Sequence, residues 1–232
     1  RRHTRYWRDW SSDVCSSDLH IAMSHVVASS FGTVSMAAQQ IVVSLFYCLV
    51  PIADSLNLTA QSFVPSIAEK KPSKEKAAAL RKVLNNFLKA GAVFGGATMV
   101  AVSGIPLLSG FFTSDQAVIS LVNSVMPLLM IFVSVNGFVC GTEGLLLGLK
   151  DLSFLGKMYA FFFAAVPYFM LRVKKRALIG NHAVGLTTVW GVFICYQLVR
   201  CSLWLARSFI LQRRAKTEAL LISSSDVHGA YA

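Results

Sequence analysis

Two acidic residues stand inside long apolar stretches of the sequence. Asp54 lies in residues 34–64 and Glu143 in residues 118–149. A carboxylate at mid-membrane costs at least about 2.5–3.5 kcal/mol, so such residues are candidates for binding and releasing a cation. A second reading is that each acid only hydrogen-bonds to a neighbouring helix. Glu143 could also reach the polar interface, because Lys150 follows seven residues later.

Polar side chains accompany both acids at helical spacing. The stretch 34–64 carries them 4, 3, 7, 3 and 4 residues apart, at Gln40, Ser44, Tyr47, Asp54, Asn57 and Gln61. This spacing predicts one stripe of a helix, and the stripe must face other helices or a water-filled cavity because lipid cannot satisfy polar groups. Asn136 precedes Glu143 by seven residues, on the same face. Both polar faces therefore predict contact with other helices or with a water-filled cavity.

The composition indicates a membrane protein. Of 232 residues, 55% are hydrophobic and 14% are charged, against about 25% charged in soluble domains. The net charge of +11 comes from Lys and Arg placed mostly between and after apolar runs, as in membrane-protein loops. We expect membrane lipids as partners and no nucleic acid. We also expect no enzyme activity and no metal site, because the sequence has no G-x-S-x-G, H-E-x-x-H, paired-aspartate protease or C-x-x-C motif.

The apolar runs predict an all-α integral membrane fold, a bundle of about six transmembrane helices. The spans are residues 20–31 (shortened at its start), 34–64, 87–108, 118–149, 154–171 and 183–206. Gly91 and Gly95 form a G-x-x-x-G motif, which predicts close helix packing. Pro72-Ser73 predicts a helix start. Residues 20–210 would form the transmembrane lobe and residues 211–232 a cytoplasmic tail, disordered from Thr217 on.

Residues 1–19 differ from the rest of the chain. Codons of a widely used sequencing-library adapter translate through RDWSSDVCSSDL, and the preceding adapter bases give the Arg-rich start. We expect this segment to be adapter read-through rather than native sequence, without a role in the function of the protein.

The basic residues predict an orientation. The loop from Lys70 to Lys82 is the most basic and is expected inside, which also places the C-terminus inside. A second basic loop, from Arg172 to Arg176, then falls outside, against the same rule. Its orientation stays open, as does the membrane in which the chain resides.

Three motifs, in matching order, resemble the multidrug and toxic compound extrusion (MATE) transporter family. MAAQQIVVSLFYCLVPIADSLNLTAQSFV is similar to the eighth helix of that family, and FFTSD to the segment before the tenth. NGFVCGTEGLLLGLKD is similar to the tenth helix itself, with Glu143 where the family often has Asp. The resemblance covers residues 20–210 and corresponds to the C-terminal half, helices seven to twelve.

The resemblance implies one lobe of a two-lobe transporter that exchanges H⁺ or Na⁺ for an organic solute, cationic or acidic, by alternating access. The resemblance implies that Asp54 and Glu143 are the cation-coupling residues, and that the cavity is lined by Gln40, Tyr47, Asn57, Gln61 and Asn136. It implies no cofactor besides the coupling ion, and an N-terminal lobe as the missing partner. We expect Asp54 to contribute more, because Glu143 lies nearer a basic loop and would remain partly solvated.

Two alternatives stay open. One is a lipid-linked oligosaccharide flippase of the same superfamily. Its cavity would carry several Arg or Lys inside the spans, where only Arg200 is ambiguous. The other is a half-transporter that does not function as it stands.

Overall fold

The computed structural model describes residues 19–108, 111–180 and 184–229, and the predicted adapter segment lies outside them except for Leu19. The described chain is helical and contains no strand, so the all-α membrane fold is confirmed. The helices are α1 (19–30), α2 (Gly32–Ala68), α3 (Lys74–Ser103), α4 (Ile105–Leu108), α5 (Gln116–Gly148), α6 (Leu152–Leu178) and α7 (Leu186–Gly229).

Among the described residues, four helices are long and apolar enough to cross a membrane: α2, α5, α6 and the Leu186–Ile222 part of α7. The chain is thus an integral, multi-pass membrane protein. The predicted span 87–108 is interrupted, because α3 ends at Ser103 and the N–H of Gly104 donates to the Ala101 carbonyl, three residues back, at 3.3 Å. The short helix α4 follows this break.

Side-chain caps place the starts of two helices. The backbone N–H of Lys76 donates to Ser73 Oγ at 3.1 Å, which confirms the predicted start of α3. The N–H of Ala117 donates to Asp115 Oδ1 at 2.8 Å at the start of α5. Lys76 Nζ in turn donates to the carbonyl of Ala68 at 2.6 Å, where α2 ends. These contacts satisfy backbone groups that a helix terminus leaves without intrahelical partners.

Two predicted non-helical segments are helical. Residues 172–176, predicted as a loop, form the last turns of α6. The prediction of a disordered tail from Thr217 is wrong through residue 229, because α7 continues to Gly229. Lys and Arg are good helix formers, and cations in the last turn interact favourably with the helix dipole. A basic segment therefore ends the apolar span without ending the helix.

The described residues divide into two compact units. The first lies within residues 19–48, 100–132 and 153–196. An aromatic cluster forms its core: the Phe46 ring centroid lies 4.4 Å from that of His20 and 5.0 Å from that of Phe132, and the Phe132 and Phe193 rings stack at 5.0 Å. All four side chains are buried.

The second unit lies within residues 49–99, 133–152 and 197–229, and glycines bring its helices together. A Cβ atom at Gly95 of α3 would lie 2.2 Å from the Ser134 carbonyl oxygen of α5, and one at Gly91 would lie 3.0 Å from the Gly137 carbonyl carbon. The predicted close packing at G-x-x-x-G is confirmed. A Cβ at Gly144 would similarly lie 2.5 Å from the Asn57 carbonyl oxygen of α2.

Candidate functional site

The polar groups of the second unit lie where α5 passes between α2 and α7. Asn136, Cys140 and Glu143 are four and three residues apart, so they share one side of α5. Glycines of the same helix let α2 approach closely, and side chains of α2 and α7 lie within hydrogen-bonding distance of these three groups.

A buried ion pair is the strongest electrostatic feature of the site. Arg200 Nη2 of α7 donates to Glu143 Oε2, and the two side chains are 11% and 2% exposed. The guanidinium carbon of Arg200 also lies 5.8 Å from the centroid of the Trp204 ring. Two opposite charges in contact inside a membrane helix bundle offset part of each other's desolvation cost. The pair therefore keeps a carboxylate and a guanidinium cation inside the second unit.

Two further polar contacts join α7 to α5 and to the turn that follows α5. Gln197 Nε2 donates to Asn136 Oδ1 at 2.9 Å, and both side chains are buried. Beyond the ion pair, Arg207 makes a bidentate contact with Asp151, with Nε to Oδ2 at 2.6 Å and Nη2 to Oδ1 at 3.2 Å. Residue numbers rise together along both helices, so α5 and α7 run parallel in this unit.

Asp54 meets the site from α2. It is half-buried, and the Cys140 thiol donates to its Oδ1 at 3.5 Å. One turn further on, Gln61 Nε2 donates to Asn57 Oδ1 at 2.9 Å, and both side chains are half-buried. The structure thus brings Asp54, Asn57 and Gln61 together on one helix face, beside the residues of α5.

The expected difference in solvation between the two acids is wrong. Glu143, expected to stay partly solvated near Lys150, is 1% exposed, whereas Asp54 is half-buried. The physical reason is that Arg200 holds the Glu143 carboxylate inside the unit. Lys150 instead pairs with Glu69 at 3.2 Å on the surface, where the side chains are 55% and 69% exposed.

The start of the predicted stripe lies in the first unit. Gln40, Ser44 and Tyr47 are exposed there, and the Tyr47 ring lies 5.4 Å from the ring of His20. The buried amide of this part of α2 is its neighbour Gln39, whose Oε1 accepts a 2.8 Å hydrogen bond from Trp190 Nε1. Gln39 lies one residue away from the predicted stripe, so helical spacing gives no signal for it.

Arg200 and Gln197 were absent from the predicted site. The sequence does contain a signal for them. Gln197 and Arg200 are an amide and a cation inside an apolar run, just as Asn136 and Glu143 are an amide and an acid inside another. From the sequence alone Arg200 is ambiguous, because it lies six residues before the end of the predicted span 183–206. In the described chain, no group of three or more His, Cys, Asp or Glu side chains forms a metal-binding cluster.

One curated protein is a distant relative. The chain is 25% identical over 181 residues to Protein DETOXIFICATION 47, chloroplastic, of Arabidopsis thaliana, a match that covers 78% of this chain and 32% of the relative. The chain thus spans about a third of the length of that protein. The relative is a MATE-family member, so the resemblance to that family is confirmed. No family model and no solved structure match the chain.

Proposed function

We propose that this chain forms one lobe of a cation-coupled antiporter that exports an organic solute by alternating access, driven by H⁺ or Na⁺. The proposal rests on the polar cluster of the second unit, which has a carboxylate on each of two membrane-spanning helices. Acids inside membrane spans characterise proteins that bind and release cations. The distant relative, named for detoxification, supports export as the direction.

Within this proposal the two carboxylates have different roles. Glu143 is buried and already carries a cationic partner, Arg200. Asp54 is half-buried, and its hydrogen bond from Cys140 comes from a neutral thiol. An entering cation reaches the half-buried Asp54 carboxylate more easily than the Glu143 carboxylate, which is 2% exposed and already contacts a guanidinium. Asp54 is therefore the proposed coupling residue, with Asn57 and Gln61 beside it as polar lining, whereas Glu143 holds the helices in register.

The flippase alternative requires cations that face the lipid-linked substrate. Inside the described spans of the second unit, the buried cation is Arg200, and its guanidinium contacts Glu143. A guanidinium neutralised in this way has less attraction for a phosphate of the substrate. The antiporter therefore remains the favoured proposal.

The test is efflux of a cationic dye from lipid vesicles under an imposed H⁺ or Na⁺ gradient. One arm uses the 232-residue chain, and a second uses the protein completed by the coding sequence upstream of His20 in the source genome. Asp54→Asn removes one charge at nearly constant shape, and we expect gradient-driven efflux to fall at least tenfold. Efflux from the completed protein alone would identify the chain as a half-transporter that needs its second lobe.

Asp115→Asn is the matched control. Asp115 is exposed and caps α5, and asparagine caps a helix equally well. We expect its efflux to equal that of the unchanged protein. Undiminished efflux in Asp54→Asn would remove Asp54 from the mechanism, and absence of gradient-driven efflux in the completed, unchanged protein would refute the antiporter proposal.

A further inference from the structure

A cavity of about 600 Å³ lies between the first half of α3 and the last half of α7, away from the polar cluster. Its charged lining residues are Lys74 and Arg81 of α3 and Arg213 and Lys216 of α7. No carboxylate is among the described residues that line it. Four cations around one cavity repel one another, so an anion bound there relieves an unfavourable electrostatic energy.

Helical spacing directs both sets of cations into this cavity. On α3, Lys74, Ala78, Arg81 and Asn85 are four, three and four residues apart. On α7, Phe209, Arg213, Lys216 and Leu220 repeat the same spacing. Each set therefore forms one stripe along its helix. The amides of Asn85 and of Gln212 add hydrogen-bond donors to the lining, and Phe209 and Leu220 add apolar surface.

Core packing holds the two helices side by side. Leu80 and Leu84 of α3 are buried in the apolar cluster of the second unit, and Ala215 of α7 packs against that cluster. These three residues lie next to the lining positions but point to the core. The cavity is therefore an opening between two packed helices, and its width is set by the core rather than by long surface side chains.

The cavity lies at the polar end of the apolar segments. On α3 the apolar span begins at Phe87, two residues after the lining residue Asn85. On α7 the cations Arg213 and Lys216 follow the predicted apolar span 183–206. Side chains at this level of a membrane helix meet lipid headgroups rather than acyl chains.

We propose that this cavity binds the phosphate headgroup of an anionic membrane lipid. The cations surround the phosphate, and the lipid's glycerol and first acyl carbons lie against the exposed apolar side chain of Phe209, on the side of the lining nearer the apolar span. A free phosphate would use the cations but not this apolar surface, so the lining favours the lipid. The site needs no transport activity and stands apart from the antiporter proposal.

The experiment measures binding of a short-chain fluorescent phosphatidylglycerol to the full chain in neutral detergent, by fluorescence anisotropy. Arg81→Gln with Arg213→Gln removes one cation from each helix. At about 1 kcal/mol per cation near an anionic surface, we expect binding to weaken roughly 10- to 30-fold. The matched control is Lys82→Gln with Arg214→Gln, which removes two cations next to the cavity lining. We expect less than a threefold change there.

A second variant keeps all charges. Ala78→Trp fills the cavity, so we expect it to abolish saturable lipid binding while circular dichroism shows an unchanged helix content. Equal weakening in both charge variants, or normal binding by Ala78→Trp, would refute a specific site. Inorganic phosphate that displaces the lipid at equal concentration would refute the lipid as its ligand.

Discussion

Removal of one partner of the Arg200–Glu143 pair should destabilise the chain strongly. Both side chains are nearly inaccessible, at 11% and 2% exposed, and the pair joins α7 to α5. A buried charge left without its partner costs about 3–5 kcal/mol. We expect a loss in the upper part of this range for Arg200→Met, which leaves a carboxylate inside the unit. Glu143→Gln should cost less, because the amide oxygen still accepts from Arg200 and the Trp204 ring still faces the cation.

The double variant separates the ion pair from packing. Arg200→Met with Glu143→Gln leaves no uncompensated charge, so its free energy of unfolding should exceed the additive expectation by at least about 2 kcal/mol. Unfolding is followed by the fluorescence of buried Trp204 during titration of mixed micelles with a denaturing detergent. Additive losses in the double variant would refute the coupling between the two residues.

The exposed pair of Lys150 and Glu69 provides the reference for this cycle. Its nitrogen and oxygen lie 3.2 Å apart, but the side chains are 55% and 69% exposed. Exposed ion pairs contribute about 0–1 kcal/mol. Lys150→Met and Glu69→Gln, alone and together, should therefore change the unfolding midpoint little. A coupling energy as large as that of the buried pair would show that burial does not control these contributions.

Two other contacts can each be tested by a variant and a matched control. Gly95→Ala places a methyl group against the Ser134 carbonyl, so it should cost about 1–3 kcal/mol in the same unfolding assay. Gly96→Ala meets nothing within 4 Å and should be neutral or slightly stabilising; equal losses at both positions would refute the packing argument. Ser73→Ala should cost about 1 kcal/mol through loss of the cap on Lys76, with Ser73→Asp, which restores an acceptor, as the control.

The sequence predicted the positions of the membrane-spanning helices more accurately than it predicted their ends. The predicted span 34–64 corresponds to α2, Gly32–Ala68, and 118–149 to α5, Gln116–Gly148. Long apolar runs with caps at their starts carry this information. Hydropathy marks the ends of an apolar segment, however, and backbone hydrogen bonding continues past them. Helix α3 therefore starts thirteen residues before the predicted apolar span at Phe87, and Pro72-Ser73, not hydropathy, predicted that start.

The partners of the site residues were harder to predict. Spacing on one helix places Asn136 and Glu143 on the same side of α5, and this follows from the helix period alone. Which helix they contact depends on crossing positions, and here these are set by glycines such as Gly144, whose lack of a side chain admits α2. The position of Arg200 opposite Glu143 depends in addition on the register between α5 and α7, and a single sequence contains no direct signal for it.

The sequence makes both carboxylates candidates for cation coupling, whereas the ion pair gives Glu143 a role in helix packing. A buried charge stays compensated in each conformation of a transporter only if its partner moves with it. Glu143 and Arg200 belong to the same compact unit. Their pairing needs no ion from outside. Asp54 contacts a neutral thiol of that unit and keeps part of its surface accessible. On the proposed function, cation arrival changes the charge at Asp54 while the neighbouring pair stays neutral overall. On the same proposal, the Glu143–Arg200 pair maintains helix packing while Asp54 responds to the gradient.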